Sequence, residues 1–390
     1  MEFASAGAEV HLLSASDHPG RQTKAGARWR RYSALRPLHA LQSALEEISP
    51  DLVIPCDERA VRHLHQLHAV CNDRRQTRII ERSLGSGNGF ATAAARHELL
   101  MLARRQGVRV ADSMPLSSVD DLQRWGSQQP FPWVLKADGS WAGFGVRIVR
   151  SLEEAEAAYH QMIKPPRLWL AIREALLERD MFWFAPWLRQ VRPAMSVQSY
   201  VDGWPANCGV ACWEGEVLAG ICAESVTTQS QTGPSTVARI IENPEMLEAA
   251  RRVVHTLGSS GLVGFDFMLD AATGAAYMIE MNPRVTPICT VRLGPGRDLT
   301  EALLSRCVGR PANDRPAVTE RDMIVYFPHT WRQDPTNAYL QAGYHDVPWE
   351  EPALVRALMR PELRERYWFT RGLRHVWLAA RRARIGQGRA

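Results

Sequence analysis

A chain of 390 residues is too long for one ordinary core and predicts two or three domains. With 45% hydrophobic and 23% charged residues, its composition excludes a disordered or fibrous protein. No apolar run reaches the ~18–20 residues of a membrane span, and the N-terminus lacks the charged-then-apolar order of a signal peptide, so a cytoplasmic protein is expected.

The formal charge of +5 is spread along the chain, apart from a basic stretch at the end, "RGLRHVWLAARRARIGQGRA". That stretch reads either as a solvated terminus or as a contact for nucleic acid or an acidic membrane surface; no second basic cluster supports nucleic acid as a partner. The seven cysteines are scattered, and Cys208 and Cys212, the closest two, have no neighbouring pair. Free buried thiols in a reducing compartment are expected rather than a zinc site. Lysine occurs only at Lys24, Lys136 and Lys164, so a lysine directly before a glycine-rich stretch stands out.

In chain order, "AEVHLLS" (8–14) and "DLVIPC" (51–56) read as strands, the second continuous enough to be buried on both faces. Between and after them, 38–48 and 60–70 have helical spacing, and the three histidines of the latter are expected to form a surface stripe. Alternating strands and helices imply a parallel sheet covered by helices. The pattern begins late, and the first strand is expected to be missing through a truncated or misplaced start. A helix over 92–107 is stopped by Gly107. Two strands then flank "KADGSWAGFG". Helix 151–163 is capped by Ser151 with the pattern "SLEE". Trp169, Trp183 and Trp187 are expected in the core. Strands follow at 195–201, 206–213 and 217–225, then a helix at "MLEAARRVVHTLG" and strands at "VGFDFMLD" and "AYMIEMN". After about residue 311 the chain is punctuated by proline and then helical. No internal repeat or low-complexity segment is present.

Two pieces carry chemistry. In "GFDFMLDAATGAAYMIEMNPR" two apolar runs flank a five-residue connection containing Gly274, the pattern of a hairpin. A turn centred on Thr273 puts Asp266 opposite Glu280. Alternation puts Glu280 and Asn282 on one face, with Phe265, Phe267, Ile279 and Met281 on the other. Carboxylates directly opposite repel, and a hard cation such as Mg²⁺ relieves this. Cross-strand Cβ atoms ~4.5–5.5 Å apart suit carboxylates bridging two metal ions ~3.5–4 Å apart. Pro283 ends the strand, and Arg284 follows the carboxylates. The alternative is a solvated acidic face.

The other piece, "VLKADGSWAGFGVRIV" from Val134, has neither the order of a dinucleotide fingerprint nor that of a Walker loop. It is a strand, Lys136, a glycine-rich flap and a second strand. Its glycines let backbone N–H groups approach an anion, and Lys136 supplies a point charge. Alone it is indistinguishable from a flexible hairpin.

Both pieces in this order, with "SVQSYVDG" between them, resemble the ATP-grasp superfamily over roughly residues 1–310. The likeness is greatest to the branch containing biotin carboxylase and carbamoyl-phosphate synthetase. The resemblance implies an α/β and α+β architecture: a Rossmann-like pre-ATP-grasp domain at 1–88, an ATP-grasp N-terminal subdomain at 89–195, a C-terminal subdomain at 196–310 and a mostly helical extension at 311–390. It implies that Lys136 contacts the α- and β-phosphates of ATP and that the loop at Gly143 and Gly145 closes over the β- and γ-phosphates. Gln198, Ser199, Tyr200 and Val201 would line the adenine edge, with Asp202 near the ribose. Asp266, Glu280 and Asn282 would bind two Mg²⁺ ions, with Mn²⁺ as a substitute. Arg284 would steady the transferred phosphoryl group or the acyl phosphate.

Three departures are noted. Arg96 stands where the family usually has a phosphate-binding lysine; it keeps the charge. Ala142 replaces a glycine common in the flap. The missing first strand bears on the domain that helps hold the carboxylate. The polar stretch "TTQSQTGPST" (227–236) reads as a meeting place of substrate and phosphate or as a surface loop. The implied activity is an ATP- and Mg²⁺-dependent, ADP-forming ligase. It would activate a small carboxylate as an acyl phosphate for attack by an amine or another nucleophile. A homodimer is compatible with it, and a nucleotide-binding scaffold without turnover is the alternative.

Overall fold

The computed structural model describes residues 1–138, 145–177, 183–230 and 232–360. Near the N-terminus, β1 (His11–Ser14) and β2 (Arg28–Arg31) pair in parallel. The run 51–56, expected as a strand, forms none. Its backbone is tied by Val53 N–H donating to Ser83 Oγ (2.9 Å) and by Val285 N–H donating to the Pro55 carbonyl (3.1 Å). The apolar run is explained by packing on two sides. Val53 joins the cluster of Leu41, Leu64 and Ile80, while Leu52 and Ile54 join that of Leu299 and Ile324. Continuous apolarity reports two-sided burial, which a strand shares with other buried segments.

Helices Pro37–Ile48 and Glu58–Val70 pack together through Leu41, Leu45, Leu64 and Leu67. The histidines of the second helix are not a surface stripe. His63 is 9% exposed with its ring 2.8 Å from the Tyr32 hydroxyl, His65 stacks on Phe90 and His68 meets Glu81. The helix expected over 92–107 is two helices, Phe90–Ala94 and Arg96–Arg105. Ala95 between them is extended (φ −105°, ψ 102°), and Gly107 follows in the left-handed region. The break makes Arg96 the first residue of a helix.

A four-stranded antiparallel sheet has the order β3 (Ser113–Leu116), β6 (Met195–Ser199), β4 (Trp133–Ala137), β5 (Val146–Val149). Helix Leu152–Met162 covers it over a core of Trp133, Leu135, Val197 and Tyr159. Ser151 caps that helix by accepting from Glu154 N–H (3.2 Å), and the Glu154 carboxylate reaches back to Arg150 N–H. Trp169 does not belong to the core: it is 64% exposed, and Trp183 and Trp187 are half-buried.

The seven-stranded sheet uses β7 (Gly203–Trp213), β8 (Glu216–Thr228), β9 (Ser235–Ile241), β10 (Gly261–Asp270), β11 (Ala276–Asn282), β12 (Met323–Val325) and β13 (Tyr344–His345), in the order β11-β10-β7-β8-β9-β12-β13. On one face, helices Pro244–Leu257 and Arg96–Arg105 bury Cys208, Val210, Phe265 and Phe267. On the other, helix Leu299–Val308 buries Ala211, Ile221 and Leu262. Such two-sided burial explains why the central strands read as unbroken apolar runs. The C-terminal extension is not simply helical, because β12 and β13 complete this sheet. The basic tail, along with Ala142 and Gly143 of the flap, lies outside the described residues. All seven cysteines are free and five of them are buried. No helix among the described residues is long and apolar enough to cross a membrane.

Candidate active site

The hairpin β10–β11 forms as expected, and Asp266 is directly opposite Glu280. The route to that register is different. Near the turn Leu269 pairs with Ala276 and Phe267 with Met278, a centre half a residue away from Thr273. A bulge between Asp266 and Phe267 then absorbs one extra residue of β11, Ile279. Met278 is therefore buried beside Phe267, and Glu280, two residues on, still emerges on the opposite face. Ile279, expected in the core, is only half-buried. Bulges re-aim side chains in this way beside active sites.

Asp266 is gripped by two amides. Asn282 Nδ2 donates to its Oδ2 (2.9 Å), and Asn207 Nδ2, from the adjacent β7, donates to its Oδ1. Burial first, and then the Glu280 charge, push the Asp266 carboxyl up to about 6; both amides act in the opposite direction. Two carboxylates and an amide oxygen are the donor types hard cations take. Asn207 was not anticipated from the sequence. Its only signal is one polar side chain in the run "ANCGVACW".

The four-stranded sheet presents Lys136 to this hairpin. The lysine is 5% exposed, and burial, followed by the Arg96 charge, lowers it to about 8; Glu280, Asp266 and Asp138 pull the other way. Arg96, 10% exposed at its side chain, donates from Nη2 to Glu280 Oε1 (2.8 Å) and from Nη1 to Asp138 Oδ1 (3.4 Å). Arg96 thus reaches the metal-type carboxylate itself, a contact the sequence does not foreshadow. Asp138, two residues after Lys136, was also not singled out.

Arg284 follows the hairpin. Its Nη2 donates to Asn282 Oδ1 (3.0 Å), Nη1 to the Val285 carbonyl (3.2 Å), and Nε lies 3.5 Å from Glu58 at the start of helix Glu58–Val70. Gly145 is buried, and its carbonyl accepts from Ala137 N–H (2.8 Å), holding the far end of the flap to β4. Gln198 is 3% exposed on β6, opposite Ser113 and Val134. Ser199 N–H donates to the Asp112 carbonyl (2.9 Å). Tyr200, Val201 and Asp202 join β6 to β7 between the two sheets; Asp202 is exposed, and its carbonyl accepts from Ala271 N–H (2.9 Å). The 227–236 stretch extends β8 to Thr228 and begins β9 at Ser235, with Gln229 Nε2 2.9 Å from the His329 ring in the loop.

A cleft of about 4530 Å³ lies apart from this cluster, and Arg96, Lys136, Asp266, Glu280 and Arg284 do not line it. It is lined by the N-terminal strands, by Cys56 and Asp57, by Arg292 and by the C-terminal residues Tyr344–Trp349.

No curated protein matches this sequence. Residues 186–287 match the family model of the ATP-grasp domain. Among solved structures, the chain is similar to the biotin carboxylase domain of Hydrogenobacter thermophilus 2-oxoglutarate carboxylase, in complex with MgADP, ADP and bicarbonate (15% identity, 80% of this chain and 68% of that one, TM-score 0.57). It is also similar to N5-carboxyaminoimidazole synthetase from Staphylococcus aureus complexed with ADP (12%, 80% and 76%, 0.55) and to L-amino acid ligase from Bacillus licheniformis (12%, 81% and 71%, 0.52). With the carboxylate hairpin at the edge of the seven-stranded sheet and Lys136 of the four-stranded sheet presented to it, the chain has the ATP-grasp fold and carries an ATP-grasp domain.

Proposed function

We propose that this protein is an ADP-forming ligase that binds ATP between its two sheets and activates a small carboxylate for attack by an amine or a related nucleophile. The observation that carries this reading is the convergence of Asp266, Glu280 and Asn282 on one hairpin face with Lys136 and Arg96 beside it. The similar structures bound to ADP and MgADP support it.

The donor set fits Mg²⁺. The carboxylates are directly opposite, the Asp266 carboxyl is held above its ordinary value by burial and by Glu280, and amides orient it. When bound, the metal would neutralise phosphate oxygens. Lys136 contributes a cation at the α- and β-phosphates, and Gln198 to Asp202 line the base and ribose. Arg284 has a fork already oriented by Asn282 and the Val285 carbonyl, and steadies the transferred phosphoryl group. In-line transfer to the carboxylate breaks the bond to the γ-phosphorus and releases ADP; the nucleophile then expels phosphate. The chain's part is positioning and electrostatics, as phosphoryl transfer requires.

The test is ADP release with a panel of amino acids and small carboxylic acids. Lys136→Ala and Glu280→Ala each lower turnover by roughly 10²–10³-fold, the range for loss of one such electrostatic contact. Tight nucleotide binding with no stimulation by any carboxylate would favour a scaffold. Unchanged turnover in either variant would remove the assignment.

A further inference from the structure

Arg96 holds an unusual position for a cation. It opens helix Arg96–Arg105, where Ala95 offers no side-chain cap. A positive side chain there opposes the helix dipole, so nothing in the helix itself favours it. Its guanidinium is instead held by Glu280 at 2.8 Å and by Asp138 at 3.4 Å, and its Nε is buried without a hydrogen-bond partner. Glu280 is the same side chain that stands opposite Asp266. A guanidinium at this distance already offsets the charge of Glu280, so a metal ion arriving there alone meets a neighbouring cation.

We propose that Arg96 is a resident counter-ion of Glu280 that nucleotide phosphate draws away, so that metal and nucleotide bind as a coupled pair and metal alone binds weakly. The proposal rests on the Mg²⁺–nucleotide reading of this site. The cluster of Asp138, Asp266 and Glu280 has Arg96, Lys136 and Arg284 as its facing cations. Arg96 satisfies Glu280 Oε1 in this structure. A polyphosphate offers its fork several oxygens in place of one. Moving the guanidinium to phosphate frees Glu280 Oε1. By linkage, the factor by which ADP strengthens metal binding equals the factor by which metal strengthens ADP binding.

The consequence is a change of opposite sign for two ligands in one variant. Mn²⁺ binding is read from the resonance of the free ion, and ADP binding by calorimetry with chelator present. In the full-length protein, Arg96→Gln is expected to tighten Mn²⁺ alone by at least about fivefold and to weaken metal-free ADP, shrinking the coupling between them. Arg96→Lys, which replaces the planar fork by a single ammonium, gives a smaller change in the same directions. It serves as the test if Arg96→Gln fails to fold by circular dichroism. Unaltered or weaker Mn²⁺ affinity in the folded variants would overturn the counter-ion role while leaving the nucleotide site standing. Failure of the wild-type protein to bind ADP with Mn²⁺ at all would overturn the site reading and the proposal with it.

Discussion

Replacing Asn207 by alanine isolates one support of the carboxylate pair. Asn207 Nδ2 donates to Asp266 Oδ1, and the other oxygen of that carboxylate accepts from Asn282. A hydrogen bond to a charged group contributes ~1.5–3 kcal/mol. Both residues are half-buried, so the lower end applies. About 1.5 kcal/mol corresponds to a roughly tenfold loss of metal affinity when it falls on the ionised carboxylate. The Asp266 carboxyl also rises further from about 6, because one of the two amides opposing burial and Glu280 is gone. The loss therefore deepens as pH falls from 7 towards 6, where more of the variant's carboxyl is protonated. Calorimetric titration of Mn²⁺ with saturating ADP at pH 6, 7 and 8 measures both effects. Equal affinity for wild type and variant at all three values would refute the claim that Asn207 holds Asp266 for a cation.

Two further outcomes are expected. Lys136, lowered to about 8 by burial and Arg96, should lose its proton as pH rises through that value, weakening ADP binding. Between about 8 and its ordinary 10.5 the unfolded chain binds the extra proton, so this lysine's contribution to stability rises over the same window. Affinity and melting temperature should thus move in opposite directions there, and Lys136→Met should abolish both trends. At Gly203 a Cβ would fall 1.9 Å from the Leu269 carbonyl oxygen, so Gly203→Ala requires a backbone shift. A stability loss of ~1–3 kcal/mol is expected by chemical denaturation.

The hairpin shows what the sequence can and cannot convey. Asp266 opposite Glu280 was legible because an approximate turn and period-two alternation suffice to pair them. The bulge at Ile279 was not, since one surplus residue leaves no mark in composition. Asn207 was hidden for a related reason. Its partner is set by the register of β7 against β10, strands separated by about fifty residues of chain, and no local rule fixes such a register. Arg96 was expected near phosphate; its bond to Glu280 depends on the helix break at Ala95, which alanine-rich sequence disguises. The strand assigned to 51–56 failed because two-sided packing alone made it apolar.

The chain passes between the two sheets at 106–112 and again at 200–202, and Ser199 N–H bonded to the Asp112 carbonyl ties these crossings together. A rotation of one sheet against the other about this line would act as a lever. Groups beside Ser199 sit near the pivot and travel little, whereas Lys136, three residues along β4 from Trp133, which pairs with Ser199, would travel more. With base and phosphates placed as proposed, a fluorophore on the base of a bound nucleotide would be nearly blind to such a rotation, and one on its terminal phosphate would report it.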